Sequence, residues 1–166
     1  MDFRTENLMR ILVVSDTHGD FFSLKRALDA QPAAEAIIHC GDGSEQFQFI
    51  KDVYRDKTVI GVRGNCDWSS KLPPTETVRL GDKTIFITHG HLYQAKFTFA
   101  NMVYAAREQN ADILLFGHTH QAVTDYLDGL YLMNPGSCSG YYATYGTIDI
   151  TNKGDIVTNI VRLQNR

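Results

Sequence analysis

Cysteine is scarce in this sequence and forms no recognisable motif. The three cysteines, Cys40, Cys66 and Cys138, are far apart, and no Cys-x-x-Cys pair occurs. An odd number of widely spaced cysteines favours neither a disulfide framework nor a cysteine-based zinc ribbon. Proteins without disulfides are typical of reducing compartments, so we predict a cytoplasmic protein.

Long hydrophobic runs are also missing. No stretch approaches the roughly 20 apolar residues that a membrane-spanning helix needs. The first residues, MDFRTENLMR, contain no apolar core of the kind found in signal peptides. We therefore expect no membrane partner. The structural pattern starts at Met9, so residues 1–8 are expected to form a short arm on a single domain spanning 1–166.

Clusters of positive charge are the third absence. The chain has 16 Lys and Arg against 19 Asp and Glu, which gives a net charge of −3 with histidine neutral. A protein that binds a nucleic-acid backbone would show a basic face, so a long nucleic acid is disfavoured as a partner. Bound metal ions could still supply positive charge that this count misses.

The first part of the sequence alternates apolar strands with helical patterns. Short apolar runs predict strands at 11–15, 36–40 and 58–63, and amphipathic spacing predicts helices at 20–30 and 44–54 between them. Alternation of this kind is typical of parallel strands that are buried by helices on their faces.

After Pro73-Pro74 the pattern changes to hairpins. Three hairpins are predicted, and their strands are 75–80 with 83–88, 122–127 with 130–134, and 145–151 with 155–163. Between the first and second hairpins the sequence predicts a helix at 97–109 and an apolar strand at 112–116. Five parallel-type strands and several hairpins predict an α/β (α+β) fold. We expect a four-layer β-sandwich of two mixed sheets flanked by helices.

Six predicted strands end in small residues and groups that can bind metals. The segments are Asp16-Thr17-His18, Gly41-Asp42, Gly64-Asn65-Cys66-Asp67, His89-Gly90-His91, Gly117-His118-Thr119-His120 and Asn134-Pro135-Gly136-Ser137. The carboxyl ends of parallel strands are where sites form. Any one segment could be an ordinary turn or carry a solvated histidine, but six together favour a common pocket, in which the glycines allow sharp turns and leave room for a ligand.

The residue types in this pocket indicate metal binding. Imidazole, carboxylate and amide donors without a required thiolate suit Mn, Fe, Co, Ni or Zn. Seven donors are too many for one ion and about right for two. His118 and His120 would lie about 6.6 Å apart on an extended stretch, so they could bind different ions spaced about 3.5–4 Å apart. They could also both bind a single ion.

The motifs D-x-H, G-D, G-N-x-D, H-G-H and G-H-x-H, in this order, resemble the calcineurin-like metallophosphoesterase superfamily. The sequence GNCD, the short chain and the NPGS segment resemble its small bacterial and archaeal phosphodiesterase branch. The resemblance runs from Met9 onward and implies a β-sandwich flanked by helices. It also implies a ligand set: Asp16, His18 and His120 for one metal, Asn65, His89 and His118 for the other, and Asp42 bridging both.

The implied activity is that of a dinuclear metal-dependent phosphodiesterase. A hydroxide that bridges the ions would attack a small phosphodiester directly, with Mn²⁺ as the expected metal and Ni²⁺, Fe²⁺, Co²⁺ or Zn²⁺ as alternatives. Asp42 and Asn65 would take part in catalysis as ligands. Related phosphatases carry a histidine as general acid where this chain has Cys66, so Cys66, His91 and Asp67 are candidates for that role.

Two other functions stay open from the sequence. One is a phosphomonoesterase with the same metals, and the missing histidine argues mildly against it. The other is a catalytically silent metal-binding scaffold for protein interactions, as in a protein-trafficking relative of the superfamily. A scaffold predicts replaced ligands, whereas all seven positions here hold competent residues. The family also implies a possible homodimer or homotetramer.

Overall fold

The computed structural model of the protein describes residues 8–164. Except for Leu8, the arm predicted for residues 1–8 lies outside the described residues. The elements in chain order are β1 (Met9–Val14), α1 (Phe21–Ala30), β2 (Ala36–His39), α2 (Ser44–Val53), β3 (Thr58–Gly61), β4 (Thr75–Leu80), β5 (Lys83–Thr88), α3 (Ala100–Glu108), β6 (Ile113–Leu115), β7 (Val123–Leu127), β8 (Leu130–Asn134), β9 (Thr144–Ile150) and β10 (Ile156–Arg162).

The strands form two mixed sheets of five strands each. The first has the order β10-β9-β1-β2-β3 and the second the order β4-β5-β6-β8-β7. In the first sheet β1, β2 and β3 run parallel, while β9 and β10 are antiparallel neighbours. In the second sheet β5, β6 and β8 run parallel, and β4 and β7 close the edges as hairpin partners. The predicted two mixed sheets are confirmed.

The number of parallel-type strands is six, where the sequence predicted five. The additional one is β8, which the sequence placed only in an antiparallel hairpin with β7. A hairpin uses one edge of each of its strands, and the other edge of β8 pairs with β6 in parallel register, Leu114 opposite Leu132. This adds the segment after Asn134 to the edge at which the other parallel strands end.

Side-chain alternation along β1 shows why the layers form. Ile11 and Val13 point into the core between the two sheets. Leu12 and Val14 point the other way and pack beneath Leu24 of α1, because successive side chains of a strand face opposite sides. These four side chains are fully buried, and each contributes roughly 1.5–3 kcal/mol through burial.

The second sheet is covered in the same way on its outer face. Met102 and Ala106 of α3 pack there against Leu114 and Phe116. The molecule is thus helix, sheet, sheet and helix in cross-section, and the predicted four-layer β-sandwich is confirmed. In the described part of the chain no helix is both long enough and apolar enough to cross a bilayer.

Helix α3 is shorter than the predicted range 97–109. It begins only at Ala100 because Gln94 adopts a left-handed backbone with φ of 57°. The Gln94 carbonyl accepts the N–H groups of Phe97 and Thr98, so the chain makes a separate turn before the helix. A short 3₁₀ helix at His91–Tyr93, which the sequence did not predict, precedes this turn.

Hydrogen bonds between loops join the carboxyl ends of the parallel strands. Asp16 N donates to the Gly41 carbonyl over 2.9 Å, and Gly117 N donates to the His89 carbonyl over 3.0 Å. Cys138 N donates to the Ser15 carbonyl over 2.9 Å and ties the segment after β8 to the loop after β1. The strand ends of both sheets therefore meet at one edge of the sandwich.

Candidate metal centre

Asp16, directly after β1, lies at the centre of the cluster. Its Oδ1 is buried, receives no hydrogen bond, and lies 3.2 Å from His120 Nε2 and 3.6 Å from His18 Nε2. Its Oδ2 accepts the Ser15 hydroxyl over 2.6 Å and the His118 N–H over 3.1 Å. Half of this carboxylate is thus fixed by the protein, and the other half faces imidazole nitrogens without a donor of its own.

Asp42, after β2, lies between the two halves of the cluster. Its Oδ2 is 3.2 Å from His89 Nε2 and 4.0 Å from His18 Nε2, while its Oδ1 accepts the Cys66 N–H over 2.8 Å. Burial raises the pKa of Asp42, but the hydrogen bond and charge of His89 and the Cys66 N–H outweigh it, so that the pKa is lowered well below its usual value. Asp42 is therefore an ionised carboxylate at neutral pH.

His89, after β5, has one ring nitrogen in use and the other aimed at the cluster. Its Nδ1 lies 2.7 Å from the Cys40 carbonyl oxygen, which can only accept, so Nδ1 carries a proton. Its Nε2 lies 3.1 Å from Asn65 Oδ1 and 3.2 Å from Asp42 Oδ2. A backbone carbonyl that fixes the tautomer of a histidine in this way is the usual second partner of a metal-binding imidazole.

The electrostatics of His89 reflect the acidic surroundings. Burial lowers the pKa of His89, but Asp42, Asp16 and the Cys40 carbonyl more than compensate, and the pKa is raised. A divalent cation bound at His89 Nε2 would replace the proton that this nitrogen carries in the charged imidazolium form, because metal ligands must be deprotonated.

The two histidines after β6 point to different halves of the cluster. His120 Nε2 lies 3.2 Å from His18 Nε2, whereas the His118 ring centre lies 5.1 Å from that of His89 and 6.1 Å from that of His91. The two neighbouring histidines therefore face different partners.

The backbone is strained where these side chains meet. Non-glycine residues rarely adopt positive φ, and such strain concentrates at functional sites. Five of the seven predicted metal ligands adopt it, with φ between 43° and 68°: Asp16, His18, Asp42, His118 and His120. Short turns of this kind bring side chains from neighbouring strand ends to one point.

Glycines make the close packing of the loops possible, although not always by turning. Gly41 and Gly90 do adopt positive φ, as predicted, but Gly64 and Gly117 do not. At these two positions a Cβ atom would lie 2.0 Å from Asp42 Oδ1 and 2.0 Å from Ser15 Oγ, respectively. The space beside these two glycines is therefore filled by Asp42, a predicted ligand, and by Ser15, which donates a hydrogen bond to the predicted ligand Asp16.

The three candidates for a general acid have different surroundings. The Asp67 carboxylate accepts four backbone N–H groups: those of Asp42 and Gly64 over 2.8 Å each, Gly43 over 3.0 Å and Ser44 over 3.1 Å. Both oxygens of Asp67 are therefore committed to holding two loops. This arrangement gives Asp67 a structural role in joining the two loops and argues against its predicted role as a general acid.

Cys66 and His91 are better placed for proton transfer. The Cys66 side chain is exposed beside the cluster, and burial together with the nearby Asp42 raises the pKa of its thiol. His91 is half-buried with its Nδ1 unpartnered, and burial, His89 and Arg63 lower the pKa of its ring. At neutral pH the Cys66 thiol keeps its proton and His91 is neutral.

Several supporting residues were not singled out as functional from the sequence. Ser137 Oγ donates to the Asp16 carbonyl over 2.7 Å, and Asn134 Nδ2 donates to the Gly117 carbonyl over 3.0 Å. Asn134 ends β8 and Ser137 follows it, and the pairing of β8 with β6 was not foreseen. The available signal was their position at a sixth strand end.

The donor set fits divalent cations. Within the described residues, three groups of His, Cys, Asp and Glu have ligand atoms within 4.8 Å of one another: Asp16 with His18 and His120, Asp16 with Asp42 and His89, and His18 with Asp42 and Cys66. Nitrogen and oxygen donors of this mixture suit Mn, Fe, Co, Ni or Zn. The unpartnered Asp16 Oδ1 and the converging Nε2 atoms indicate that a cation belongs among them.

A sandwich of this topology with such a centre defines the class of a metal-dependent phosphoesterase. The calcineurin-like phosphoesterase superfamily domain matches residues 9–153 of the chain. The protein belongs to this superfamily and is a phosphoric ester hydrolase, as its motifs indicate.

Individual relatives divide between enzymes and a trafficking protein. Phosphodiesterase YfcE of Escherichia coli K12 is 31% identical over 86% of this chain and 88% of its own length. Vacuolar protein sorting-associated protein 29 of Schizosaccharomyces pombe is 39% identical over 80% of this chain and 73% of its own length. The solved structure of a novel archaeal phosphodiesterase superimposes with a TM-score of 0.72 at 25% identity, covering 92% of this chain and all of the other.

Proposed function

We propose that the protein is a dinuclear metal-dependent phosphodiesterase that hydrolyses a small phosphodiester. The observation that carries this proposal is the two-sided donor cluster. Asp42 Oδ2 lies between His18 and His89, and the neighbouring His118 and His120 face opposite sides. A cluster built around one ion would have no use for two separated imidazole groups that share one carboxylate.

The residues that would hold the ions follow from this division. Asp16, His18 and His120 would hold one ion, Asn65, His89 and His118 the other, and Asp42 would bridge the two. Asp16 Oδ1 also lies 3.8 Å from His89 Nε2, so this carboxylate is close to both halves. Mn²⁺ is the proposed metal, with Ni²⁺, Fe²⁺, Co²⁺ and Zn²⁺ as alternatives that the same donors accommodate.

Two bound divalent ions would make hydroxide available near neutral pH for direct attack on phosphorus and would offset the charge on the phosphate oxygens. The protein's own residues orient this chemistry. Asp67 holds the loops of Asp42 and Asn65 through the four N–H groups described above. Cys66, which keeps its proton at neutral pH, lies beside Asp42 and is positioned to donate to the leaving oxygen.

A thiol is a weak acid, and this favours diester over monoester substrates. An alcohol leaving group that needs strong protonation would be expelled slowly by Cys66 alone. The names of the enzymatic relatives, both phosphodiesterases, point in the same direction. A phosphomonoesterase with the same metals is the second enzymatic candidate.

The scaffold alternative rests on the similarity to the vacuolar sorting protein. At 39% identity over 139 residues, that relative matches this chain as well as the enzymes do. The ligand set argues for catalysis, because all seven ligand positions hold residues that can bind metal and their side chains converge. Stable metal binding without turnover would support the scaffold.

The remaining features of the proposal concern the whole chain. We expect residues 1–166 to act as one metallophosphoesterase domain in the cytoplasm, where its three free thiols would stay reduced. A net charge of −3 disfavours long nucleic acids as substrates. A homodimer or homotetramer is compatible with this function.

The proposal is tested by a paired assay on protein stripped with a chelator and refilled with Mn²⁺. Hydrolysis of bis(4-nitrophenyl) phosphate is compared with that of 4-nitrophenyl phosphate, with Asp42→Asn as the matched variant. We expect metal-dependent cleavage that favours the diester and falls by at least about a hundredfold in Asp42→Asn. Preference for the monoester would support the phosphatase, and no turnover of either ester by metal-loaded protein would support the scaffold.

A further inference from the structure

A cleft of about 730 Å³ opens beside the loop that carries His118 and His120, and none of the seven predicted metal ligands lines it. It is lined by two segments, residues 95–99 before α3 and, on the other wall, Thr119 with residues 121–123. This volume is within the range of about 300–1,000 Å³ typical of small-molecule sites. Both walls continue directly from metal-binding segments, since His89 precedes the first wall and Thr119 lies between His118 and His120.

The walls of the cleft are fixed by hydrogen bonds. Thr119 Oγ1 accepts from Asn134 Nδ2 over 2.9 Å and from Gln121 N over 3.2 Å. On the other wall Ala95 N donates to the Gly90 carbonyl over 3.2 Å, and Phe99 packs edge-on against the buried Phe116. The cleft is thus a preformed feature whose shape depends on the same loops as the metal centre.

The lining offers an aromatic surface and a positive charge. Phe97 is 89% exposed, which is unusual for a phenylalanine. It lies in a turn that three backbone hydrogen bonds hold in place. Its neighbour Lys96 contributes the positive charge. Lys96 lines the same cleft as Thr119, which lies between His118 and His120.

We propose that this cleft binds a flat aromatic ester group of the substrate, such as a nucleobase or an aryl ring, stacked on Phe97 with Lys96 beside the phosphate. The proposal rests on the phosphodiesterase function proposed above and specifies its substrate class. Stacking on an exposed aromatic ring is the interaction by which proteins hold bases without reading their identity. An alkyl ester group could not use the face of Phe97 in this way.

A second, smaller cleft of about 280 Å³ is lined by Asp42 together with His18 and Cys66. A phosphodiester has two ester groups, and two clefts of unequal size, each lined by loops that carry predicted ligands, favour one large and one small group. The larger group would occupy the cleft beside Phe97. The smaller would lie beside Cys66, where the proposed proton donor is found.

Binding of two phosphonates tests the assignment without turnover. Phenylphosphonate and methylphosphonate carry the same anionic group on a carbon–phosphorus bond that the reaction does not cleave, and they differ only in the ring. Calorimetric titration of the Mn²⁺-loaded protein should show phenylphosphonate binding about tenfold more tightly. Phe97→Ala should remove this difference, Phe97→Tyr should keep it, and Lys96→Gln should weaken both ligands to the same extent.

Phe22→Ala is the matched control, because Phe22 is 73% exposed on α1 and does not line the cleft. It should leave both affinities unchanged. Equal affinity of the two phosphonates for the wild-type protein, binding of neither, or an undiminished ratio in Phe97→Ala would overturn the assignment. Hydrolysis of bis(4-nitrophenyl) phosphate by the same preparation reports separately on the proposed function, so the two failures can be told apart.

Discussion

At the scale of single residues, Asp67 shows how a polar side chain can be essential to the site without binding anything in it. Its four backbone partners come from the loops that carry Asp42 and Asn65. We expect Asp67→Asn to lower the free energy of unfolding of the metal-free protein by about 3 kcal/mol, because the amide nitrogen would face N–H donors. Urea unfolding followed by circular dichroism measures this change.

A general acid at position 67 would give a different result. Its loss would slow catalysis while leaving the unfolding free energy and metal affinity intact, and that outcome would contradict the structural role. Asp29→Asn serves as the control. The Asp29 carboxylate is exposed and pairs with Lys25, and solvent screens such a surface contact.

His39 makes stability depend on pH. Its Nε2 lies 3.0 Å from Thr17 Oγ1, which donates its own proton to Gln46, so Nε2 is the donor; its Nδ1 accepts the Gly41 N–H over 3.1 Å. A second proton on Nδ1 would face that N–H group. Burial lowers the pKa of His39 from 6.5 to about 4.

The sign of the effect follows from this lowered pKa. Between pH 6.5 and 4 the unfolded chain binds a proton at His39 that the folded chain does not. The free energy of unfolding therefore decreases as the pH is lowered through this range. The loss should approach on the order of 3 kcal/mol by pH 4. His39→Gln, which cannot titrate, should flatten this part of the profile of unfolding free energy against pH. An unchanged slope in the variant would contradict a neutral, buried His39.

At the scale of elements, the loops after β1 and β6 interlock through Gly117. A Cβ atom there would lie 2.0 Å from Ser15 Oγ and 2.6 Å from Asp16 Oδ2, and the backbone itself would accept an alanine. We expect Gly117→Ala to push the loop of His118 and His120 away from Asp16. Mn²⁺ affinity, measured by equilibrium dialysis, should fall by about tenfold or more.

A second substitution tests whether the steric cause is correct. Ser15→Ala in the Gly117→Ala background removes the nearest clashing atom and should restore part of the lost affinity. Ser15→Ala alone removes only one hydrogen bond to Asp16 and should have the smaller effect. If Gly117→Ala binds Mn²⁺ as the wild type does, the close packing of these two loops does not position the ligands.

At the scale of the whole molecule, the two sheets show how far sequence patterns lead. The hairpin strands β4 and β5 and the strand β8 have the bounds that their apolar alternation predicts. Alternation is a local property, so it can be read from neighbouring residues. The parallel pairing of β8 with β6 could not be read in this way, because it depends on which strand edge stays free after the chain has folded.

The candidate site shows the same division. The clustering of the seven candidate ligand positions could be predicted because each follows a strand, and parallel strands end at one edge. The role of Asp67 could not, since it depends on N–H groups from a loop more than 20 positions away in sequence. The turn at Gln94, which shortens α3 and forms a wall of the cleft, likewise depends on a left-handed residue without a glycine to signal it.

We propose that the edge shared by the two sheets holds two metal ions per chain. This number can be measured by equilibrium dialysis of chelator-stripped protein against Mn²⁺, with bound metal counted by mass spectrometry. We predict two ions for the wild type and one each for His120→Ala and His89→Ala, because these side chains lie in opposite halves of the cluster. A single ion in the wild type, or loss of the same ion in both variants, would contradict the dinuclear account.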